Sequence, residues 1–324
     1  MMPTADLTVI ISTLGRPADL VRCLEAVLTG DLRPSEVIVV DQSPDDRTLT
    51  ALETCEACEP GLVRIRYVHQ EKRGLSASRN AGAARATGAV VAFTDDDCVP
   101  SSAWLRAIDQ AFSSSPGPDA VAGRVLPLGP EMPETYAVSL RENAARVDYR
   151  GRTVPWLVGT GANLALRREW LSRVGPFDER LGVGSPGRAA EDSDYFHRLL
   201  RAGGRIRYEP GAVVYHARQS RAQRLASRRS YGHGIGALCG LWLRRGDYYA
   251  ALILSHWLLA TSRELAGALR RGRWFEAQQR MLGFAGAAKG LAYGLGLSSS
   301  TTDIDTSHPP RACAPPEETE ELRP

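Results

Sequence analysis

An apolar run that ends in three consecutive carboxylates constrains the fold of this chain more than any other feature. The run at residues 90–93 leads, through a threonine, to Asp95, Asp96 and Asp97. Neighbouring like charges repel one another, so a fold retains such a triplet after a buried strand most readily where a cation or charged ligand binds. We therefore predict that Asp95 and Asp97 bracket a divalent metal ion and that Asp96 faces the other way. The alternative, helix capping, would need only one of the three acids.

The composition is that of a globular protein. Of the 324 residues, 43% are hydrophobic and 24% are charged, which excludes wholesale disorder and a multi-span membrane protein. Six cysteines are too few for a disulfide framework in a chain of this length, and residues 1–6 lack the features of a secretory signal. We therefore expect a reducing, cytoplasmic location. Cys55 and Cys58 have metal-ligand spacing, but a lone pair supplies only half of a structural zinc site.

The order of strands and helices predicts an α/β fold. Three continuous apolar runs are typical of parallel strands buried on both faces, and a fourth run alternates as an edge strand does: residues 7–12, 37–40 and 90–93, and residues 63–68. Thr13, Asp41 and the aspartate triplet each follow a strand. They should therefore border one crevice at the carboxyl ends of the strands, where such sheets bind ligands. Asp41 would face a nucleobase or ribose there, or simply cap the next element.

Two further segments favour ligand binding at the same crevice. Arg79 and Asn80 lie in the first turns of a predicted helix, whose free amide groups and dipole favour anions. We therefore expect Arg79 to contact a phosphate. The sequence Gly-Thr-Gly-Ala-Asn at residues 159–163 would let the backbone approach a ligand closely around Gly161 and Asn163.

A pair of acids after a glycine-rich segment supplies a candidate general base. Residues 182–187 are predicted to form a mobile loop, and therefore a candidate lid. Glu191 and Asp192 follow at the start of a helix. Acids are common there because they complement the helix dipole, but their place after the loop favours contact with a bound acceptor. Two short strands are predicted within residues 206–215, and His216 ends the second, a position that by itself explains a lone histidine.

The chain changes character after His216. Arginines outnumber acids between residues 218 and 273. This pattern favours an anionic partner surface, a membrane rather than nucleic acid, or simply indicates a solvated helix face. Two apolar stretches, residues 250–260 and 281–297, are shorter than the roughly 20 residues that span a bilayer. We interpret residues 218–297 as helices that pack on the first domain or lie in a membrane interface, and residues 298–324 as a disordered tail.

The order of these motifs resembles that of the family 2 glycosyltransferases, which have the GT-A fold. The matching motifs are, in order, Val-Val-Asp41-Gln-Ser-Pro-Asp-Asp, Gly74-Leu-Ser-Ala-Ser-Arg79-Asn80-Ala-Gly82, Phe93-Thr-Asp95-Asp-Asp97, Gly161-Ala-Asn163 and Glu191-Asp192. The resemblance covers about residues 7–217. It implies a GT-A domain at residues 1–217, with a Rossmann-like mixed, mainly parallel sheet flanked by helices and followed by the helical extension. The chain departs from the family at residues 42–44, where an acid, a glycine and a serine are more usual.

The resemblance also implies roles for individual residues. It implies that Asp41 contacts the nucleotide base and that Asp95 and Asp97 bind metal and diphosphate. Asp192 matches the catalytic base, and His216 resembles a late histidine that completes the metal site in some relatives. The full expected set is Asp192 and Glu191 for catalysis, Asp95, Asp97 and His216 for the metal, and Thr13, Asp41, Arg79, Asn80, Asp95, Asp96, Gly161 and Asn163 for the nucleotide sugar.

The resemblance implies an inverting glycosyltransferase, and the chemistry of this set suits that reaction. A divalent cation, Mg²⁺ or Mn²⁺, and Arg79 would stabilise the departing nucleoside diphosphate. Asp192 would accept the proton of an acceptor hydroxyl on the opposite face of the sugar. The expected acceptor is lipid-linked or a glycan, and no nucleic-acid partner is expected. We expect a cytoplasmic protein that contacts the inner face of the plasma membrane peripherally.

Four other functions compete with this prediction. A hydrolase of the haloacid dehalogenase type would carry its nucleophilic aspartate after the first strand, where this chain has Thr13. A sugar-phosphate nucleotidylyltransferase would need a basic, glycine-rich loop there, of which residues 13–17 are a poor version. A dinucleotide-dependent reductase would need Gly-X-Gly-X-X-Gly at that point. The fourth alternative is a catalytically silent relative that binds a nucleotide sugar or docks on a membrane complex. It is disfavoured because the chain retains every carboxylate of the expected site.

Overall fold

The computed structural model of the chain describes residues 4–58 and 63–297. Its strands are β1 (Thr4–Thr13), β2 (Arg33–Asp41), β3 (Arg64–His69), β4 (Val90–Asp95), β5 (Cys98–Pro100), β6 (Ala120–Pro127), β7 (Thr135–Tyr136), β8 (Val147–Arg150), β9 (Asn163–Arg167), β10 (Arg205–His216) and β11 (Gln219–Ser220). Its α-helices are α1 (Pro17–Leu28), α2 (Arg47–Glu53), α3 (Leu75–Ala83), α4 (Trp104–Ser113), α5 (Pro155–Val158), α6 (Glu169–Val174), α7 (Glu191–Arg201), α8 (Arg221–Arg244), α9 (Tyr249–Arg270) and α10 (Trp274–Gly296). The predicted tail at residues 298–324 lies outside the described residues.

A mixed sheet carries the first part of the fold. Within the described residues, nine strands join in the order β3-β2-β1-β4-β9-β6-β10-β5, and β8 pairs with β10. Strands β3, β2, β1 and β4 are parallel to one another, whereas β9 is antiparallel to both β4 and β6. The prediction of a mixed sheet flanked by helices is confirmed, and so is the edge position of β3. Parallel pairing dominates in the half of the sheet that carries the predicted site.

Side chains of the central strands alternate between two hydrophobic cores, one on each face of the sheet. Val9 and Ile11 of β1 belong to the core that contains Trp104 of α4. Ile10, between them in sequence, belongs to the opposite core with Phe93 of β4. Because successive side chains in a strand point to opposite faces, a strand covered on both sides must be apolar at nearly every position. This explains the continuous apolar runs of the sequence.

The register of the central strands brings the predicted site residues to one edge. Thr13 at the end of β1 pairs with Asp41 at the end of β2. Ser12 pairs with Asp95 at the end of β4. Three strand ends therefore meet where the sequence predicted a crevice.

One strand prediction was wrong. The two short strands predicted within residues 206–215 form the single strand β10, whose pairing with β6 shifts register between Glu209 and Val213. Pro210 and Gly211 lie inside this shift. Proline lacks an amide donor and glycine has no side chain to pack, so both are typical of bulges. The strand nevertheless continues to His216.

The helical extension is fastened to α7, the helix that begins with Glu191 and Asp192. The indole nitrogen of Trp242 on α8 donates to Asp194 Oδ1 at 3.0 Å. The His197 ring stacks on Trp242 with centroids 3.6 Å apart, and His197 Nε2 lies 2.8 Å from Asp247 Oδ2. Polar and aromatic contacts therefore hold the extension against the helix that supplies the predicted base.

Glycines let α8 and α10 approach each other closely. A Cβ on Gly236 of α8 would overlap the carbonyl oxygen of Ala287, and a Cβ on Gly290 of α10 would overlap that of His233. Similar overlaps involve other glycines along both helices: Gly232, Gly240, Gly286 and Gly294. We call this contact the glycine seam. In the described part of the chain, none of the helices is both long enough and apolar enough to cross a membrane.

Candidate active site

A cavity of about 930 Å³ opens at the carboxyl ends of the strands and is bounded on one side by the helical extension. Predicted site residues on its wall are Thr13, Arg79, Asp95, Asp97, Gly161, Glu191, Asp192 and His216. The extension contributes a second group, which includes Arg228, Tyr231, Ile235, Trp257, Thr261, Gln279 and Arg280. No motif in the sequence predicts that the extension reaches the site. The one sequence feature that indicated a contact with an anionic partner there was the arginine-rich segment of the extension.

The three predicted metal ligands lie together. Ligand atoms of Asp95, Asp97, Cys98 and His216 all lie within 4.8 Å of one another. The antiparallel pairing of β5 with β10 places His216 opposite Cys98, next in sequence to Asp97, and His216 Nε2 lies 3.7 Å from Asp97 Oδ1. Two carboxylates and an imidazole are suitable donors for Mg²⁺ or Mn²⁺, so these residues fit a divalent cation.

Cys98 is a member of this cluster that sequence analysis missed, although it directly follows the triplet. Its side chain is buried, and burial raises the pKa of the thiol well above its ordinary value. A thiol binds metal as the thiolate. The two carboxylates and the imidazole are therefore better suited than the Cys98 thiol to bind a hard cation.

Asp96 faces away from the cluster and holds the turn after β1. Thr13 Oγ1 donates to Asp96 Oδ2 at 2.8 Å, and the Arg16 guanidinium forms an ion pair with the same carboxylate. Arg16 also reaches Asp97 Oδ2 at 2.7 Å. Burial raises the pKa of Asp96 to about 7 in spite of this pairing. The expected nucleotide contact of Asp96 is therefore replaced by a positioning role, and Arg16 is a further site residue that the sequence analysis missed.

Arg79 lies between two carboxylates. Its side chain is 3% exposed, its Nη1 donates to Glu191 Oε1 at 2.9 Å and its Nη2 donates to Asp95 Oδ1 at 3.0 Å. Burial, together with the neighbouring Asp192, raises the pKa of Glu191 to about 7. The guanidinium thus links the metal cluster to the start of α7. The phosphate contact expected of Arg79 stays a prediction.

Asp192 is held in place by backbone amides. The amide of Gly161 donates to Asp192 Oδ2 at 2.8 Å, and that of Ser193 donates to Oδ1 at 2.6 Å. A Cβ on Gly161 would lie 2.5 Å from the Arg79 Nη1 atom, so glycine is required for the backbone to pass there. The predicted close approach is real, but its partner is the arginine of the site.

Asp41, Asn80 and Asn163 lie behind the cavity wall instead of on it. Asp41 accepts hydrogen bonds from Ser43 and from the Tyr67 hydroxyl, the latter at 2.9 Å. Asn80 exchanges hydrogen bonds with the backbone of residue 177 at 2.8 and 2.9 Å. Asn163 accepts from Trp104 Nε1 at 2.9 Å and donates to two backbone carbonyls. This differs from the expected ligand contacts, because protein groups already use these polar atoms.

The glycine-rich loop at residues 182–187 docks on the start of α3. The Leu75 amide donates to the Val183 carbonyl at 2.8 Å. Gly74 has φ +98°, and a Cβ on it would lie 3.0 Å from the same carbonyl. Only glycine combines this backbone conformation with so close an approach. The loop therefore closes one side of the cavity in this structure, and its movement as a lid stays a prediction.

Comparisons with known proteins agree with this geometry. The model of glycosyl transferase family 2 matches residues 8–175. The chain is 30% identical over 261 residues to the pre-mycofactocin glycosyltransferase of Mycobacterium tuberculosis, an alignment that covers 77% of this chain and 50% of the relative. It is 26% identical to glycosyltransferase AglE of Haloferax volcanii, with 82% and 85% covered. The chain spans about half the length of the mycobacterial relatives.

Solved structures show the same fold at low sequence identity. A mannosyltransferase from Pyrobaculum calidifontis, solved with GDP-Man and Mn²⁺, superposes with a TM-score of 0.57 at 20% identity, covering 90% of this chain and 88% of that one. TarS from S. aureus gives 0.51 at 19% identity, with 75% and 44% covered. Fold, site geometry and the match over more than half of its length show that the chain belongs to glycosyl transferase family 2.

Proposed function

We propose that this chain transfers a sugar from a nucleoside-diphosphate sugar to an acceptor hydroxyl, with inversion at the anomeric carbon. One observation carries the proposal: the Asp95–Asp97–His216 cluster and the Asp192 carboxylate line the same cavity. A diphosphate leaving group needs positive charge beside it, and an acceptor hydroxyl needs a base. The family membership of the chain supports the reaction class, and the neighbour solved with GDP-Man and Mn²⁺ supports the class of donor.

A divalent cation would be held by Asp95, Asp97 and His216. When bound, it supplies charge neutralisation for the departing diphosphate. Arg16 and Arg79 would not replace the metal ion as the positive charge beside the diphosphate, because carboxylates already neutralise both guanidiniums. Their contribution is to hold the acidic residues in place. Without such pairing, the mutual repulsion of these carboxylates would spread them apart.

Asp192 would act as the general base. Gly161 and Ser193 fix its carboxylate, and its oxygen atoms retain lone pairs for the acceptor hydroxyl. Glu191 is 6% exposed and paired with Arg79, so we assign it to positioning. A base on the face of the sugar opposite the leaving group produces inversion in one displacement. The loop at residues 182–187 would exclude water, which otherwise competes as an acceptor.

The extension would also contact a membrane surface. Large apolar side chains on α9 and α10 are exposed, among them Leu252 at 66%, Leu259 at 58% and Trp274 at 73%. Arg270 and Arg271 lie close to Trp274 in sequence, and basic side chains beside an interfacial tryptophan favour anionic headgroups. Flotation of the full chain with anionic vesicles tests this contact. The proposed membrane contact is wrong if the wild type floats no better than a triple variant with Leu252→Glu, Leu259→Glu and Trp274→Glu.

Turnover of nucleotide sugars tests the main proposal. The chain is incubated with UDP- and GDP-sugars, Mn²⁺ or Mg²⁺, and simple glycosides as acceptors, and the products are separated. Glycosyl transfer yields a nucleoside diphosphate and a new glycoside whose anomeric configuration is read by NMR. A nucleotidylyltransferase would instead need added pyrophosphate, and would convert it and the nucleotide sugar into a nucleoside triphosphate and a sugar 1-phosphate. Binding of a nucleotide sugar without any turnover across the panel would favour the catalytically silent alternative.

A further inference from the structure

We propose that the helical wall of the cavity, formed by α8, α9 and α10, binds a phosphate group on the acceptor, and that Arg228 is the residue that holds it. The inference rests on the proposed glycosyl transfer, because it assigns a chemical class to the acceptor of that reaction. It starts from a cation in the cavity that the protein does not neutralise.

Arg228 lines the cavity and lacks a partner. Its Nε is buried without a hydrogen-bond acceptor, and no carboxylate of the described residues lies within ion-pair distance of its guanidinium. Arg16 and Arg79, on the opposite wall, each contact two carboxylates. Burying this N–H donor without an acceptor is costly. A bound anion would remove that cost.

The two arginines nearest to Arg228 are already engaged. Arg224 donates to Gln279 Oε1 at 3.0 Å and to a backbone carbonyl at 2.9 Å. Arg280 pairs with Glu264 at 2.9 Å. These arginines repel Arg228 and, together with burial as the larger cause, lower its pKa to about 10. Arg228 is therefore the member of the group left to bind a ligand.

The local charge favours phosphate over carboxylate. Among the described residues, Arg224, Arg228 and Arg280 share one ion pair with a carboxylate, that of Arg280 with Glu264. The group thus carries a surplus of two positive charges. A phosphate monoester carries about −1.5 to −2 near pH 7, whereas a carboxylate carries only one negative charge. The planar guanidinium also donates two parallel hydrogen bonds to phosphate oxygens.

Tyr231 connects this subsite to the catalytic carboxylates. It follows Arg228 by three residues and so lies on the same side of α8. Both residues line the cavity together with Glu191 and Asp192. An acceptor anchored at Arg228 would therefore extend past Tyr231 toward Asp192. The donor diphosphate, by contrast, is expected at the Asp95–Asp97 cluster.

The phosphate could belong to a lipid or to a soluble sugar. Ile235, Trp257 and Ala260 line the same wall and would accommodate a hydrocarbon chain. A sugar phosphate would instead use the polar groups of Thr261 and Gln279. Both sources share the phosphate ester, and the test separates them.

Calorimetric titration tests the inference. Full-length protein is first titrated with UDP and GDP in the presence of Mg²⁺, and the nucleotide that binds is kept at saturation so that the donor site is filled. Farnesyl phosphate and glucose 6-phosphate are then titrated, with farnesol and glucose as neutral counterparts. Arg228→Gln removes the charge, and Arg228→Lys keeps the charge but loses the planar fork. Arg229→Gln is the matched control, because Arg229 is the next residue of α8 and is exposed.

We expect one phosphate ester to bind the wild type and Arg229→Gln equally, with at least about tenfold weaker binding to Arg228→Gln and an intermediate affinity for Arg228→Lys. If only farnesyl phosphate binds, the acceptor is a lipid phosphate. If only glucose 6-phosphate binds, the acceptor is a soluble sugar phosphate. Equal affinity in all variants, or no binding of either ester while nucleotide still binds, would overturn the inference. Failure of every nucleotide to bind would instead contradict the proposed function. Thermal melting of each variant confirms that it is folded.

Discussion

Arg79 and Glu191 form a buried ion pair whose atoms lie 2.9 Å apart. The pair joins α3, which follows strand β3, to α7, which carries Asp192, across 112 residues of sequence. Asp95 shares the same guanidinium. The Arg79 guanidinium therefore fixes the distance between the Asp95–Asp97–His216 cluster and the proposed base, Asp192.

Removal of Arg79 should destabilise the fold as well as the site. Arg79→Met leaves the Glu191 carboxylate buried and unpaired, which we expect to lower the free energy of unfolding by about 3 kcal/mol. Urea denaturation measures the loss. Combining Arg79→Met with Glu191→Gln should cost less than the sum of the single changes, because the second change removes the stranded charge. Additive losses would show that the two groups do not interact.

Replacement of the proposed base should remove catalysis while leaving donor binding intact. Asp192→Asn keeps the shape of the side chain and its place beside Gly161, but an amide cannot accept the acceptor proton. We expect kcat to fall by about 10²–10⁴ with little change in the KM for the donor. Steady-state kinetics measures both constants. Asp109→Asn on the exposed side of α4 is the control, and an equal fall in both variants would contradict the assignment.

Metal removal should abolish turnover reversibly. Dialysis against a chelator should stop nucleoside diphosphate release, and added Mg²⁺ or Mn²⁺ should restore it. Asp97→Asn should raise the metal concentration for half-maximal activity by roughly tenfold or more, because it removes a charged ligand. Cys98→Ala should leave that concentration unchanged, because burial keeps the thiol protonated. Full activity after exhaustive chelation would contradict a metal role for the cluster.

Replacing glycine by alanine usually stabilises a helix, but at the glycine seam it should destabilise the protein. Gly236→Ala places a methyl group against the Ala287 carbonyl, so we expect a loss of about 1–3 kcal/mol from overpacking. Gly267→Ala on α9 is the matched control, because its Cβ would meet only the movable end of the Arg271 side chain, at 3.2 Å. That change should stabilise the protein by up to about 1 kcal/mol. Thermal melting compares the two variants, and a shift of the same sign in both would argue against the seam.

His197 should make the attachment of the extension sensitive to acid. Burial lowers the pKa of His197, in spite of the nearby Asp247. Below pH 6.5 or so, the unfolded chain therefore binds a proton that the folded chain resists, and the free energy of unfolding falls as the pH falls. His197→Gln removes this contribution. Denaturation at pH 7.5 and 5.5 should show a smaller loss for the variant than for the wild type, and equal losses would contradict the assignment.

Local patterns in the sequence were sufficient for the central strands and for the polar residues at their ends. Thr13, Asp41 and Asp95 were each predicted at the end of a buried strand, because apolar runs and their polar ends can be recognised within a few residues. His216 was correctly expected near Asp97, although only the family resemblance implied it. The pairing of β5 with β10, which brings the two together, depends on residues more than a hundred positions apart and has no local signal.

Side-chain partners could not be predicted in the same way. Asn80 and Asn163 resemble ligand-binding residues in the sequence, yet the structure assigns their amide groups to the protein backbone. Arg16 was not considered, because nothing in its own segment indicates that Asp96 and Asp97 approach it. The role of the extension was missed for the same reason. Its arginines indicated an anionic surface, but only the tertiary fold shows that Arg228 faces the cavity.

The glycine seam also separates two roles of α8. On α8, Gly236 and Gly240 face α10, whereas Arg228, Tyr231 and Ile235 face the cavity. The two sets occupy neighbouring sides of one helix. Residues on the cavity side can therefore be exchanged during evolution without disturbing the side that holds the helix in place. Such a division would let a substitution on the cavity side change the contacts offered to an acceptor while the packing of α8 on α10 stays the same.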